Sequence, residues 1–418
     1  MAKFIVSGGS PLKGSVRISG SKNAALPIIA ACLLTDEECT LRSVPPLSDV
    51  RIMLEIIESL GRKFIFDEEA EEVTVLPGKI ASFEEDYELA GKMRASFLVM
   101  GPLLARLKRA TVPLPGGCAI GSRPVDLHLK GFMALSARIK LEFGFINIKA
   151  KKLIGNKIYL DFPSVGATEN LLMAAVMAEG ETVIENAAEE PEVMDLAEFL
   201  IKMGADIEGA GTGRIFVRGV KKLSGADHRV IPDRIEAGTF MTAAAITKGD
   251  VLLENVVIEH IKPIIAKLSE AKVTAEETPE GLRVSSQGGV APINLKTMPF
   301  PGFPTDMQAP FMSLMTLASG TSIITETIFE NRFTHAGELK RMGADITIES
   351  RSALIEGVKK LTGAKVKATD LRAGAALILS DLAAEGDTEI SDIYHVERGY
   401  YKIEEKLAAL GAKIRKEE

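Results

Sequence analysis

Small apolar residues recur along this chain in runs too uniformly hydrophobic for a half-exposed helix. One run reads Asn170-Leu-Leu-Met-Ala-Ala-Val-Met-Ala-Glu-Gly180 and is followed by Glu-Thr-Val-Ile-Glu-Asn186. The pair returns as Phe240 to Gly249 with Asp-Val-Leu-Leu-Glu-Asn255. It returns again ending at Gly320 with Thr-Ser-Ile-Ile-Thr-Glu326, and at Gly386 with Asp-Thr-Glu-Ile-Ser-Asp392. The four glycines are 69, 71 and 66 residues apart. Two divergent copies lie upstream, from Asn23 to Thr35 and from Ser96 to Arg106. A run that is apolar on every side predicts a fully buried helix, and the β-branched stretch after it predicts a strand.

A second phrase follows each first one. It is an amphipathic helix closed by glycine and then a short strand, as in Leu196 to Gly204-Ala-Asp-Ile, Leu339 to Gly343-Ala-Asp-Ile, Leu407 to Gly411-Ala-Lys-Ile and Ile56 to Gly61. Apolar residues at i, i+3 and i+4 with a terminal glycine mark a capped surface helix. Weaker copies are expected near Phe143-Gly144 and Ala271-Lys272. Two further strands complete the unit. Phe216-Val-Arg-Gly-Val-Lys-Lys-Leu-Ser-Gly225 matches Leu354-Ile-Glu-Gly-Val-Lys-Lys-Leu-Thr-Gly363, and the opening Phe4 to Gly14 is a looser copy.

The unit therefore reads strand, strand, helix, strand, helix, strand, six times over, which predicts an α/β fold. A leucine-rich solenoid is the alternative for repeats, but units this long that mix helix and strand disfavour it. Three repeats per domain predict a first domain over residues 22–229. The second spans 230–418 and is completed by 1–21, because its last sheet otherwise lacks a starting strand pair. The active site is expected in the cleft between them.

With 418 residues, 46% of them hydrophobic, the chain has ample apolar material for two cores. The net charge of -7 and the lack of a basic block point away from nucleic acid. No run of 18 apolar residues predicts a membrane span. The N-terminus enters a strand pattern at once rather than a signal sequence. Three cysteines do not make a disulfide framework, so a reducing cytoplasm is the expected location. A monomer is the expected state.

The segment before each buried helix is polar. In order these are Ser21-Lys22-Asn23, Lys92-Met93-Arg94, Ser164 to Thr168, Asp233-Arg234-Ile235-Glu236, Pro304-Thr305-Asp306 and Thr369-Asp370-Leu371-Arg372. Capping explains the Ser, Thr and Asp residues. It does not explain Lys22, Arg94, Arg234 and Arg372 at the positive ends of helices, where a bound polyanion would suit them. One loop departs from the repeat, Leu114-Pro-Gly-Gly-Cys118-Ala-Ile-Gly-Ser-Arg123-Pro124. Its glycines and the nearby arginine make Cys118 the candidate reactive thiol. Cys32, in an apolar helix, and Cys39, in a strand, read as inert core. Scattered histidines and the absence of paired ligands argue against zinc.

These residues, in order, resemble the UDP-N-acetylglucosamine 1-carboxyvinyltransferase family of the EPSP synthase-like superfamily. The resemblance rests on Lys22-Asn23, Arg94-Ala-Ser96, Pro115-Gly-Gly-Cys118, Arg123-Pro-Val-Asp-Leu127 and Pro163-Ser-Val-Gly-Ala-Thr-Glu-Asn170. It continues through Phe303-Pro-Thr-Asp306-Met-Gln308, Glu330-Asn-Arg332-Phe, Ala368-Thr-Asp370-Leu-Arg372 and Arg398-Gly-Tyr400. It implies an inside-out α/β barrel, two domains of three βαβαββ-like repeats. The implied reaction moves enolpyruvate from phosphoenolpyruvate to the 3-hydroxyl of UDP-N-acetylglucosamine by addition and elimination, the first committed step of peptidoglycan synthesis, without metal or organic cofactor.

The resemblance also assigns roles. Lys22, Asn23, Arg123 and Arg398 surround phosphoenolpyruvate, and Cys118 protonates its methylene carbon. Asp306 takes the proton of the sugar hydroxyl, a role that suits a carboxylate of modestly raised pKa. Arg94, Arg123, Pro124, Val125, Asp126, Leu127, Asp306 and Ile328 bind the sugar nucleotide. Ser164, Val165, Gly166, Arg332, Asp370 and Arg372 complete the substrate-binding set. Some members carry lysine where this chain has Phe162, which removes a charge from that place. The related transfer to shikimate 3-phosphate is the nearest alternative, and the Cys118 loop with Arg123 to Leu127 argues against it. A non-catalytic binding protein on the same repeats would not need Cys118 and Asp306 together.

Overall fold

Among the described residues, six helices are buried almost along their whole length. They are α1 (Lys22–Ala31), α2 (Met100–Leu107), α3 (Val165–Ala175), α4 (Arg234–Ile246), α5 (Gln308–Met315) and α6 (Leu371–Ala383). The computed structural model describes residues 2–114 and 125–418. In α4, all residues after Arg234 are buried, and most are Ala, Thr, Met or Phe. Small side chains let three such helices pack together, and burying a Phe240 or Met241 contributes about 1.5–3 kcal/mol each. Hydroxyls on these helices are satisfied locally. Thr239 Oγ1 donates to Ile235 O and Thr242 Oγ1 to Gly238 O, both at 2.8 Å.

The chain divides into two compact units. Among the described residues, one holds 2–19 and Pro232–Glu418, with α4, α5 and α6 packed on one another. The other holds 20–114 and 125–231, with α1 and α2 both packed against α3. Three sheets surround each helix trio, and the topology repeats. In the sheet Lys157–Tyr159, Glu181–Glu185, Arg214–Arg218, Asp206–Glu208, the first pair is parallel and the rest antiparallel. Four other sheets have the same order and sense. The sixth has three strands, Arg109–Pro113, Phe145–Lys149 and Arg138–Glu142. A single parallel bridge from Glu84 to Thr111 stands where the others have a fourth strand.

The opening strand Lys3–Ser7 takes the place in its sheet that Arg214–Arg218 and Ser352–Glu356 take in theirs, between Asp387–Ser391 and Lys413–Glu417. That is the shared phrase of the sequence expressed as shared position. Lys13–Arg17 pairs in parallel with Asp250–Glu254, and Asp227–Arg229 with Cys39–Arg42. The unit of Pro232–Glu418 thus takes two strands, Lys3–Ser7 and Lys13–Arg17, from the start of the chain, and Asp227–Arg229 closes the other unit just before the chain leaves it. The crossings are fixed by buried carboxylates. Glu236 accepts from Ser19 N at 2.8 Å and from Lys406 Nζ at 2.5 Å, and Asp195 accepts from Ile231 N at 3.2 Å and shares 2.8 Å with His228 Nε2.

One expected feature is placed otherwise. Phe143-Gly144 is not a helix end but the two-residue turn of the hairpin between Arg138–Glu142 and Phe145–Lys149. Both residues have positive φ, 54° and 80°, the conformation a tight hairpin needs. The helix that should have ended there, Asp126–Ala134, closes instead at Leu135 and Ser136. Among the described residues no helix is long and apolar enough to cross a membrane.

Candidate active site

In the unit that holds Pro232–Glu418, a single turn of tight helix, Thr305–Met307, leads into α5 and carries Asp306. Asp306 Oδ1 accepts from Arg332 Nη2 at 2.7 Å. Its Oδ2 accepts from Arg372 Nη2 at 2.8 Å and Nε at 3.1 Å. Both arginine side chains are about 95% buried, while 26% of the Asp306 side chain is exposed. Arg372 is held by its helix end, where Asp370 Oδ1 caps α6 by accepting from Arg372 N and Ala373 N at 2.9 and 3.0 Å. Thr334 Oγ1 approaches the other Asp370 oxygen at 3.4 Å.

A buried carboxylate that the sequence reading missed organises this turn. Glu326 accepts from Thr297 Oγ1, Thr305 Oγ1, Ile328 N and Phe329 N at 2.8–3.2 Å. Thr305 Oγ1 in turn accepts from Arg332 Nη1 at 3.0 Å. Ile328 is therefore fixed to the Asp306 turn through its backbone. The repeat marks the position as polar but not as charged, since Asn186, Asn255 and Asp392 stand where Glu326 does, six residues after the repeat glycine. Tyr400, also buried, lies with its ring 5.3 Å from the Arg372 guanidinium and its hydroxyl 2.8 Å from Thr239 Oγ1. Arg398 closes the short helix Tyr394–Glu397 beside His395.

The electrostatics reverse one expectation. Burial alone pushes Asp306 up, but Arg372 and Arg332 overcome it and hold the carboxyl well below the usual carboxylate range. The modestly raised pKa expected of a base is not present in this arrangement, because two guanidinium groups ligate both carboxylate oxygens. Nearby, burial pushes His335 down to about 4, with Asp370 opposing and Arg332 reinforcing the fall.

In the other unit, Lys22 opens α1. Ser21 Oγ caps the helix by accepting from Ala24 N at 3.3 Å, and Ser21 N donates to Ile231 O at 2.7 Å. Lys22 Nζ lies 3.1 Å from Asp49 Oδ2, and both side chains are at least 90% buried. Asn23 is half-buried. Charges at two of the four positive helix ends, Lys22 and Arg372, thus meet carboxylates of the chain itself.

A second cluster forms around His128. Arg94 opens the tight helix Arg94–Val99, and its charge adds to burial in pushing His128 down to about 3. Asn170 Nδ2 lies 3.2 Å from His128 Nδ1 and donates to Phe97 O at 2.9 Å, while Asn170 Oδ1 accepts from Gly101 N at 2.6 Å. Asp126 and Leu127 lie in the first turn of the His128 helix, with Val125 before it. Ser164 caps α3 by accepting from Ala167 N at 3.4 Å. Val165 and Gly166 follow, and a Cβ on Gly166 would meet His128 Cε1 at 3.5 Å. Arg94, Val125 to Leu127 and Ser164 to Gly166 are thus brought together, with His128 at their centre. Phe162 is 43% exposed. Cys118, Arg123 and Pro124 lie outside the described residues.

The EPSP synthase (3-phosphoshikimate 1-carboxyvinyltransferase) family model matches residues 6–407. The UDP-N-acetylglucosamine 1-carboxyvinyltransferase 1 of Caldanaerobacter subterraneus subsp. tengcongensis is 61% identical over 412 residues, covering 99% of each chain. The chain belongs to this family. A second carboxyvinyltransferase of the same description, from Carboxydothermus hydrogenoformans, is 58% identical over 99% of each chain. Among solved structures, the enolpyruvyl transferase NikO from Streptomyces tendae superposes with a TM-score of 0.89 at 24% identity, covering 99% of this chain and 98% of that one. EPSP synthase from Acinetobacter baumannii gives 0.75 at 22% identity over the full length of both. These two likenesses speak to the fold, which the family shares across its members.

Proposed function

We propose that this chain transfers the enolpyruvyl group of phosphoenolpyruvate to the 3-hydroxyl of UDP-N-acetylglucosamine and releases phosphate, the entry step of peptidoglycan synthesis. The observation that carries the reading is 61% identity over 99% of a UDP-N-acetylglucosamine 1-carboxyvinyltransferase. The described residues suit it, because both substrates are polyanions and the buried cations Lys22, Arg332 and Arg372 sit at or beside helix N-termini or turns.

In the proposed course, Cys118 delivers a proton to the methylene carbon of phosphoenolpyruvate. The sugar hydroxyl then attacks the neighbouring carbon while Asp306 takes its proton, forming the new C–O bond. Loss of a methyl proton and cleavage of the C–O bond to phosphate restores the double bond. Lys22, Asn23, Arg123 and Arg398 hold the donor. Arg94, the Arg123 to Leu127 stretch, Ser164 to Gly166 and Ile328 hold the sugar nucleotide. Incubation with both substrates should yield a sugar nucleotide heavier than the acceptor by one carboxyvinyl group in place of hydrogen, read by mass spectrometry. Recovery of unchanged UDP-N-acetylglucosamine from folded enzyme would overturn the assignment.

A further inference from the structure

Asp306 is arranged as an ion-pair partner, not as a free base. Three hydrogen bonds from two guanidinium groups occupy both of its oxygens, and a proton cannot be accepted readily by a carboxylate so held. The same two guanidinium groups are incompletely used. Arg332 Nε and Arg372 Nη1 are buried donors without a hydrogen-bond partner among the described residues. A buried orphan N–H on a charged group is costly to leave unmade. Two such donors, on the very arginines that bind Asp306, point to an anion that completes them.

We infer that Asp306 competes with an anionic group of the donor substrate for Arg332 and Arg372, so that donor binding releases the base. Without the donor, Asp306 neutralises the two arginines. When a substrate carboxylate or phosphate oxygen takes a share of their N–H groups, the hydrogen bonds to Asp306 weaken. Its affinity for a proton then rises while the acceptor hydroxyl is in place. The remaining neighbours leave this exchange in charge. Asp370 is engaged as the cap of α6, Thr305 is held by Glu326, and Tyr400 and Asp233 lie near Arg372 while His335 lies near Arg332. The inference rests on Asp306 being the base of the proposed reaction.

Competition has a consequence that a pure base would not have. By reciprocity of linkage, removing the negative charge should strengthen anion binding. Asp306→Asn should bind phosphoenolpyruvate about tenfold more tightly than the parent in calorimetric titration without acceptor, while its turnover falls. Pyruvate and inorganic phosphate, titrated separately, assign the competing group, since only the one that takes the arginines should gain affinity in the variant. Unchanged or weaker binding of all three by the variant would overturn the coupling and leave the base assignment standing. Normal turnover in the variant would overturn the base assignment instead. A second measurement needs no folded variant. Infrared titration of the parent should show a carboxyl that becomes protonatable above pH ~4 only with phosphoenolpyruvate bound, and identical titrations with and without it would contradict the inference.

Discussion

At the residue scale, chemistry was legible where a side chain acts alone and misread where it acts in a pair. Cys32 and Cys39 are fully buried, as their apolar surroundings implied. Asp306 was legible as a carboxylate opening a buried helix, but its acidity depends on Arg332 and Arg372, 26 and 66 residues away in sequence. No local pattern encodes that proximity. The same holds for Asp49 beneath Lys22 and for Glu326. Glu85 is a further case. It is 1% exposed, close to the Ser96 hydroxyl, and burial pushes it up to about 8 against the pull of Ser96. A carboxyl whose pKa is higher in the folded chain favours folding at low pH, and that contribution is lost as pH rises from about 4.5 to 8. Glu85→Gln should therefore melt with the parent near pH 4.5 and above it near pH 8.5, by an amount corresponding to ~3–5 kcal/mol at 1.4 kcal/mol per pH unit. A pH-independent difference in calorimetric melting would contradict this account of Glu85.

At the element scale, the buried helices were legible because a run apolar on all faces has no amphipathic alternative. The six strand pairs followed from repeated phrases. The hairpin at Phe143-Gly144 was not, because a glycine after an apolar residue also ends a helix. Only the paired positive φ angles separate the two. Close approach between α2 and α3 is similarly hidden in one glycine. A Cβ on Gly101 would lie 2.3 Å from Asn170 O and 2.5 Å from Asn170 Oδ1. Gly101→Ala must push α2 from α3 or displace the Asn170 side chain, which holds Phe97 O and the His128 ring. It should cost about 1–3 kcal/mol, as overpacking does, and raise the KM for the sugar nucleotide by disturbing Arg94 and Ser164 to Gly166. A melting temperature and KM both equal to the parent's would show that this contact is slack.

At the scale of the whole molecule, two helix trios with three sheets each reproduce one repeat six times, and the strands beside Ser19 and Ile231 close each unit. Such a scaffold sets polar turns at the ends of buried helices and leaves chemistry to the residues placed there. It does not choose the acceptor, since EPSP synthase has the same fold at 22% identity. We propose that this choice rests on residues of the family pattern such as Arg94, Asp126 and Ile328. The most direct test is phosphate release from phosphoenolpyruvate with either UDP-N-acetylglucosamine or shikimate 3-phosphate as acceptor. Release should be rapid with the sugar nucleotide, at background with shikimate 3-phosphate, and at least about 10²-fold slower in Asp306→Asn. Faster release with shikimate 3-phosphate, or none with the sugar nucleotide, would contradict the account.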